Sequence, residues 1–171
     1  AVSGALKAAC PDTFIILGGP EVTHQDEFLM KRHPWIDAVI RGEGEATFEE
    51  LMLRLESGSG FSGVAGLTHR KNDEIIREPD REFISDLDII PSPFQLGLYG
   101  RGNGFTYYEA SRGCPYRCSY CLSSVNGPWR SFSLDRVCAD LDWFIDSDYK
   151  QVRFADRTFN QDTRRAAAII R

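Results

Sequence analysis

The chain has 171 residues, 42% of them hydrophobic and 26% charged, a composition that supports a buried core in one domain or in parts of two. Lys plus Arg number 20 against 25 Asp plus Glu, a net charge of −5. That balance argues against a bulk electrostatic grip on nucleic acid, and neither a membrane-length apolar run nor a signal peptide is visible in the sequence.

The chain begins at Ala1 without a methionine and ends inside the helical pattern "AAAIIR", so we expect a piece of a longer polypeptide. Residues 2 to 10 read as an amphipathic helix with Val2, Leu6, Ala9 and Cys10 on one side, stopped by Pro11 and Asp12. "TFIILGGPEVT" follows. Its apolar run Phe14 to Leu17, bounded by glycines, has the pattern of a strand covered on both faces. Ala38, Val39 and Ile40 make a second short buried strand. Phe48, Leu51, Met52 and Leu55 then recur at helical spacing. Thr47 with Glu50 fits a capping box, and Gly58 a helix stop. Residues 1–57 thus read helix, strand, loop, strand, helix.

From 58 to 104 the character changes. Leu67 to His69 and Ile75 to Arg77 flank "KND", a hairpin turn. "ISDLDIIPSPF" and "GLYGRGNG" are rich in proline and glycine, so this stretch reads as a hairpin plus a linker. Residues 105–171 form a second α/β unit: the strand "FTYYEAS", a cysteine loop, a helix capped by Ser133 with Leu134, Val137, Leu141, Phe144 and Ile145 on one face, the strand "QVRFAD", and a helix opened by Asp162. Parallel strands joined by helices place ligand sites at their C-terminal ends, where the cysteine loop lies.

The cysteine count is odd, which speaks against a secreted disulfide framework. Cys10 and Cys138 fall in apolar helical stretches and read as buried small hydrophobes. The other three sit in "EASRGCPYRCSYC", as Cys114, Cys118 and Cys121. Thiolates suit zinc or iron–sulfur clusters. Structural zinc wants four closed ligands, and no histidine lies near this loop in sequence. Three ligands on a four-iron cluster leave one iron open to a substrate or cofactor.

The loop "CPYRCSYC" resembles that of the radical S-adenosylmethionine enzymes, matching their Cys-x3-Cys-x-aromatic-Cys pattern with Tyr120 as the aromatic residue. The resemblance implies a partial TIM-like barrel and a four-iron, four-sulfur cluster on Cys114, Cys118 and Cys121. The open iron would bind the amino and carboxylate groups of S-adenosylmethionine, with Tyr120 near the adenine. "QVRFADRTFN" resembles the second barrel strand of that family, making Asp156 a candidate to approach S-adenosylmethionine; the alternative for Asp156 is a turn or capping aspartate.

Upstream, "GGPEVT" and "RGEGEATFEELM" each follow a short buried strand. Together they resemble the later half of the Rossmann-like cobalamin-binding domain of cobalamin-dependent radical enzymes. On that resemblance Gly18, Gly19 and Pro20, with Gly42, Glu43, Gly44 and Glu45, line the pocket for the corrin's nucleotide tail. Glu49 and Glu50 read as helix surface. No Asp-x-His-x-x-Gly string occurs, and His24 reads as a solvated loop histidine.

The expected organisation is therefore the C-terminal part of a cobalamin-binding domain at 1–57, a hairpin and linker at 58–104, and the first βα units of a radical barrel at 105–171. The resemblance implies cobalamin-dependent methyl transfer to an unactivated carbon by way of a 5′-deoxyadenosyl radical, a flavodoxin or ferredoxin as electron donor, a small-molecule or peptide substrate, and a cytoplasmic, low-oxygen setting. A radical enzyme without functional corrin and a zinc-binding structural module remain as alternatives.

Overall fold

The computed structural model describes residues 2–102, 104–125 and 127–171. Ala1, Asn103 and Asn126 lie outside the described residues, so the expected linker end at "GRGNG" is covered only in part. The chain divides into two compact units, Ala1–Phe83 and Ile84–Arg171. Both are mixed α/β.

The first unit opens with α1 (Val2–Ala9), followed by β1 (Ile16–Leu17), α2 (Pro20–Thr23), α3 (Asp26–Arg32), β2 (Ala38–Ile40) and α4 (Glu45–Ser57). β3 (Leu67–Lys71) and β4 (Glu74–Arg77) complete it. The four strands form one sheet in the order β1-β2-β3-β4. β1 and β2 are parallel, with Ile16 opposite Ala38 and Leu17 opposite Val39; the other pairs are antiparallel. Alternation along β2 explains why its three residues are all buried. Ala38 and Ile40 pack with Leu51, Val64 and Leu67 on one face, while Val39 packs with Val22, Met30 and Ile36 on the other. A strand sandwiched between two layers cannot show the apolar–polar alternation of a half-exposed one.

The hairpin expected to lead into a linker is an integral part of this sheet. β3 pairs with β2 through Ala38–His69, Val39–Thr68 and Ile40–Leu67, and Asn72 and Asp73 turn the chain with φ of 50° and 66°. Left-handed conformation at both central residues matches the twist of the flanking strands. The first unit therefore runs past the expected break at 57, because the hydrogen bonds that complete the sheet come from 67–77.

Three local expectations are corrected. α4 starts at Glu45, with Gly44 at its N-cap. Thr47 lies inside the helix and is fully buried, donating to the Ala65 carbonyl and accepting from Arg81 Nε, so a tertiary bond replaces the expected capping box. Cys10 and Cys138 are exposed. Cys10 stands beyond the last residue of α1, and Cys138 is rotated about 100° around its helix from buried Val137. Ile145 is 73% exposed for the same reason, following core Phe144 by one residue. The Gly58 stop is as expected: its φ is 67°, and its N–H bonds the Arg54 and Leu55 carbonyls.

A buried charge network anchors the hairpin to α3. Arg41, 4% exposed, donates to Asp80, the Leu67 and Glu78 carbonyls and Thr68. Asp26 accepts from Thr68 and Arg77. Burial pushes the Asp26 carboxyl up, but the Thr68 hydrogen bond and the charges of Arg77 and Arg41 outweigh it, so its pKa lies below the ordinary value.

In the second unit β5 (Phe105–Tyr108) and β8 (Gln151–Phe154) pair in parallel around the crossover helix α5 (Leu134–Asp146), and α6 (Thr163–Ile170) packs on α5. Ser133 caps α5 by accepting from Arg136 N–H, and Asp162 caps α6 by accepting from Arg164 and Arg165 N–H. The core joins Leu87, Phe94, Tyr108, Phe132, Val137 and Phe144. Asp140, 1% exposed, accepts from Ser92, Tyr108 and Arg136. Burial and the Asp140 carboxylate push the Tyr108 phenol far above its usual range, keeping it a neutral donor.

Between β5 and α5 the chain makes a long loop closed at its base. β6 (Ser111–Arg112) pairs antiparallel with β7 (Arg130–Ser131), and Phe132 N–H bonds the Ala110 carbonyl. At this neck Gly113 has φ 77°, and a Cβ placed on it would lie 2.1 Å from the Pro128 carbonyl oxygen. Only glycine fits there.

Two outcomes follow from these contacts. A group with a depressed folded pKa contributes stability that is present above its unfolded value and lost as pH falls through the folded one. Denaturant midpoints are therefore expected to drop below about pH 4, less steeply in Asp26→Asn than in the unchanged chain. Gly113→Ala is expected to cost about 2 kcal/mol or more, read as a lower denaturation midpoint.

Candidate functional site

The cysteine loop leaves the C-terminal end of β5 and runs from Gly113 to Cys121 without regular secondary structure. Cys114, Cys118 and Cys121 are partly exposed, and none is in a disulfide. A local bond from Cys121 N–H to the Cys118 carbonyl, 3.1 Å, turns the second half of the loop. Tyr116 and Tyr120 point outward, Tyr120 with 91% of its surface exposed.

The loop after β8 meets this one. Asp156 Oδ2 accepts from Ala110 N–H at 3.0 Å, and Oδ1 accepts from the Ser111 hydroxyl. Both oxygens are thus directed at the entrance of the cysteine loop. Two residues further on, Thr158 Oγ1 lies 3.4 Å from Cys114 Sγ. Hydrogen bonds from the side chain and backbone of Ser123 lower the pKa of the Cys121 thiol, and the Arg157 charge adds to the effect. These surroundings favour the thiolate of Cys121, the form that binds metal.

Among the described residues no three His, Cys, Asp or Glu side chains are grouped to hold one metal ion. An iron–sulfur cluster asks for something different, since its thiolates bond separate irons. The donor set fits it: three cysteines outside any disulfide in one loop at a parallel strand end, with the Cys121 thiol biased towards the thiolate.

In the first unit, "GGP" and "GEGE" follow the parallel neighbours β1 and β2, so both leave the same end of the sheet. Gly18 lies against Ile40, where an added Cβ would stand 3.8 Å from its carbonyl oxygen. Gly19 (φ 99°, ψ 172°) caps α2, which Pro20 opens; its conformation is accessible to glycine and little else. Gly42 has φ 69°, and among the described residues, its chain neighbours apart, no atom lies within 4 Å of where a Cβ would stand on it or on Gly19. Gly44 and Glu45 begin α4. Glu43 and Glu45 each take part in further side-chain or electrostatic contacts. His24 is exposed, Glu49 is exposed, and Glu50 pairs with Arg54 and Arg81.

The structure thus places the cysteine loop and Asp156 after the paired strands β5 and β8, and residues 18–20 and 42–45 after the paired strands β1 and β2. Sequence reading missed Thr158, Ser123 and Arg157. Hydroxyl residues beside a strand end carry no distinguishing pattern until the fold sets them against a sulfur.

No family model matches the chain. It is 38% identical over 167 residues to an uncharacterized methyltransferase of Pyrococcus horikoshii, covering 92% of this chain and 36% of that protein. It is 30% identical over 170 residues to the cobalamin-dependent radical SAM methyltransferase TokK of Streptomyces tokunonensis, covering 92% of this chain and 25% of that one. The chain therefore spans about a third or less of the length of these curated relatives. The fold matches the cobalamin-dependent S-adenosylmethionine radical enzyme OxsB, solved with aqua-cobalamin and S-adenosylmethionine bound, with a TM-score of 0.70 at 20% identity over 92% of this chain and 23% of that one. It also matches the radical methyltransferase TsrM of Kitasatospora setae, solved with cobalamin and a four-iron, four-sulfur cluster bound, with a TM-score of 0.70 at 17% identity over 93% of this chain and 33% of that one. With the cysteine loop at its parallel strand end and relatives along nearly its whole length, the chain belongs to the cobalamin-dependent radical S-adenosylmethionine enzyme family.

Proposed function

We propose that the chain is the part of a methyltransferase that joins the later half of a cobalamin-binding domain to the cluster-holding start of a radical barrel, and that the whole protein methylates an unactivated carbon. The observation that carries this reading is the placement of Cys114, Cys118 and Cys121 in one loop at the C-terminal end of β5, in a chain aligned over 92% of its length with a cobalamin-dependent radical methyltransferase.

In this reading Cys114, Cys118 and Cys121 would hold a four-iron, four-sulfur cluster as thiolates, leaving one iron open for the amino and carboxylate groups of S-adenosylmethionine. When bound, the cluster and S-adenosylmethionine supply a 5′-deoxyadenosyl radical for hydrogen abstraction, and cobalamin supplies the methyl group. The chain's own residues hold and orient. Asp156 fixes the entrance of the cysteine loop, Ser123 favours the Cys121 thiolate, and exposed Tyr120 would lie near the adenine. Gly18, Gly19, Pro20 and residues 42–45 admit the corrin's nucleotide tail, since the missing side chains at Gly19 and Gly42 let a ligand come close to the backbone.

The substrate is a small molecule or a peptide, and the electron comes from a flavodoxin or ferredoxin. The oxygen sensitivity of an open iron suits a cytoplasmic, low-oxygen setting. Among the described residues no helix is long and apolar enough to cross a membrane.

Reconstitution with iron and sulfide under anaerobic conditions tests the reading. The unchanged chain is expected to take up about four irons. Cys118→Ala is expected to lose most of that iron while circular dichroism still reports a folded chain. Full iron loading of Cys118→Ala, or stoichiometric zinc without iron in the unchanged chain, would overturn it.

A further inference from the structure

We propose that Thr158 sets the reduction potential of the cluster by donating a hydrogen bond from its hydroxyl to the Cys114 sulfur. The inference rests on the cluster reading above. Thr158 belongs to the loop after β8, 44 residues from Cys114 in sequence, yet its Oγ1 lies 3.4 Å from Cys114 Sγ in a partly buried position, within reach of a hydrogen bond to sulfur. In the free protein either group can donate. Once Cys114 is a metal-bound thiolate its sulfur can only accept, which leaves the threonine hydroxyl as donor.

The contact is held from both sides. Asp156, two residues before Thr158, is bound to Ala110 and Ser111. Gly113, one residue before Cys114, is packed against the Pro128 carbonyl. Thr158 and Cys114 therefore stand at the ends of two short segments pinned to the same neck, so the bond does not depend on a free loop finding its partner.

Hydrogen bonds to the sulfurs and nearby charge are among the factors that set iron–sulfur potentials. Reduction adds an electron to the cluster and makes its thiolate sulfurs better acceptors. A donor at Cys114 therefore favours the reduced form and raises the potential. Thr158 touches a ligand and not the reacting atoms, so it is a positioning residue.

The test uses the intact chain, reconstituted anaerobically as the unchanged protein, Thr158→Val and Thr158→Ser, with each cluster titrated in potential and followed by electron paramagnetic resonance. Thr158→Val keeps the shape and removes the hydroxyl. It is expected to retain iron and lower the equilibrium constant for one-electron reduction about tenfold, a shift of ~59 mV to more negative potential; Thr158→Ser is expected to titrate like the unchanged protein. Iron loss in Thr158→Val that Thr158→Ser restores also supports the hydroxyl's role. Equal potentials in all three proteins, or equal iron loss in both variants, would overturn this inference while leaving the cluster reading intact. An unchanged protein that binds no iron would overturn both.

Discussion

Asp156 directs both carboxylate oxygens at the strand end that precedes the cysteine loop, one to the Ala110 N–H and one to the Ser111 hydroxyl. Around that clasp the rest of the site is arranged. Immediately after it, β6 and β7 close the base of the loop, and Gly113 passes the Pro128 carbonyl at a distance no side chain tolerates. A ligand loop must be flexible enough to wrap a cluster and fixed enough to present three sulfurs together. The neck fixes the base of the loop, and residues 113–121 beyond it have no helix or strand structure. The same clasp joins the ends of β5 and β8, so the parallel pairing of the strands and the placement of the cysteines are one structural fact.

Each unit also carries a buried acid that organises its packing. Asp140 gathers Ser92, Tyr108 and Arg136, tying α5 to β5 and to the proline-rich segment before it. Asp26 meets Thr68 and Arg77, and Arg41 spans the end of β2 to β3 and the chain beyond β4. Arg41 directly precedes Gly42, so fixing its guanidinium also fixes the start of the glycine loop. Removing one member of such a network leaves buried partners without compensation, at a cost of about 3–5 kcal/mol. These acids are therefore scaffold, holding loops that the proposed chemistry uses.

Much of this could be read from the residues. The apolar triplet at 38–40, the Gly58 stop, the caps at Ser133 and Asp162 and the turn at Asn72–Asp73 are local signals, and local physics decides them. What could not be read depends on distant partners. Thr47 looked like a cap because Glu50 stands three residues on, but Ala65 and Arg81 claim its hydroxyl. The hairpin looked like the start of a linker because the pairing of β3 with the distant β2 leaves no local trace in sequence. Cys138 looked buried because helical spacing alone cannot say which side of a helix meets the core, and Cys10 because the pattern alone does not show that α1 stops one residue before it. At the site, the cysteine spacing was legible since three soft ligands in eight residues have few other uses. The contacts of Asp156 and Thr158 were not, since they join positions about 45 residues apart.

The proposed chemistry depends on an iron–sulfur cluster held by three cysteines with one iron left open. The most direct measurement is the electron paramagnetic resonance spectrum of the reduced, reconstituted chain at low temperature, recorded with and without S-adenosylmethionine. A cluster signal whose g-values shift when S-adenosylmethionine is added is expected, because the open iron changes its coordination. A cluster signal that S-adenosylmethionine leaves untouched would contradict the claim.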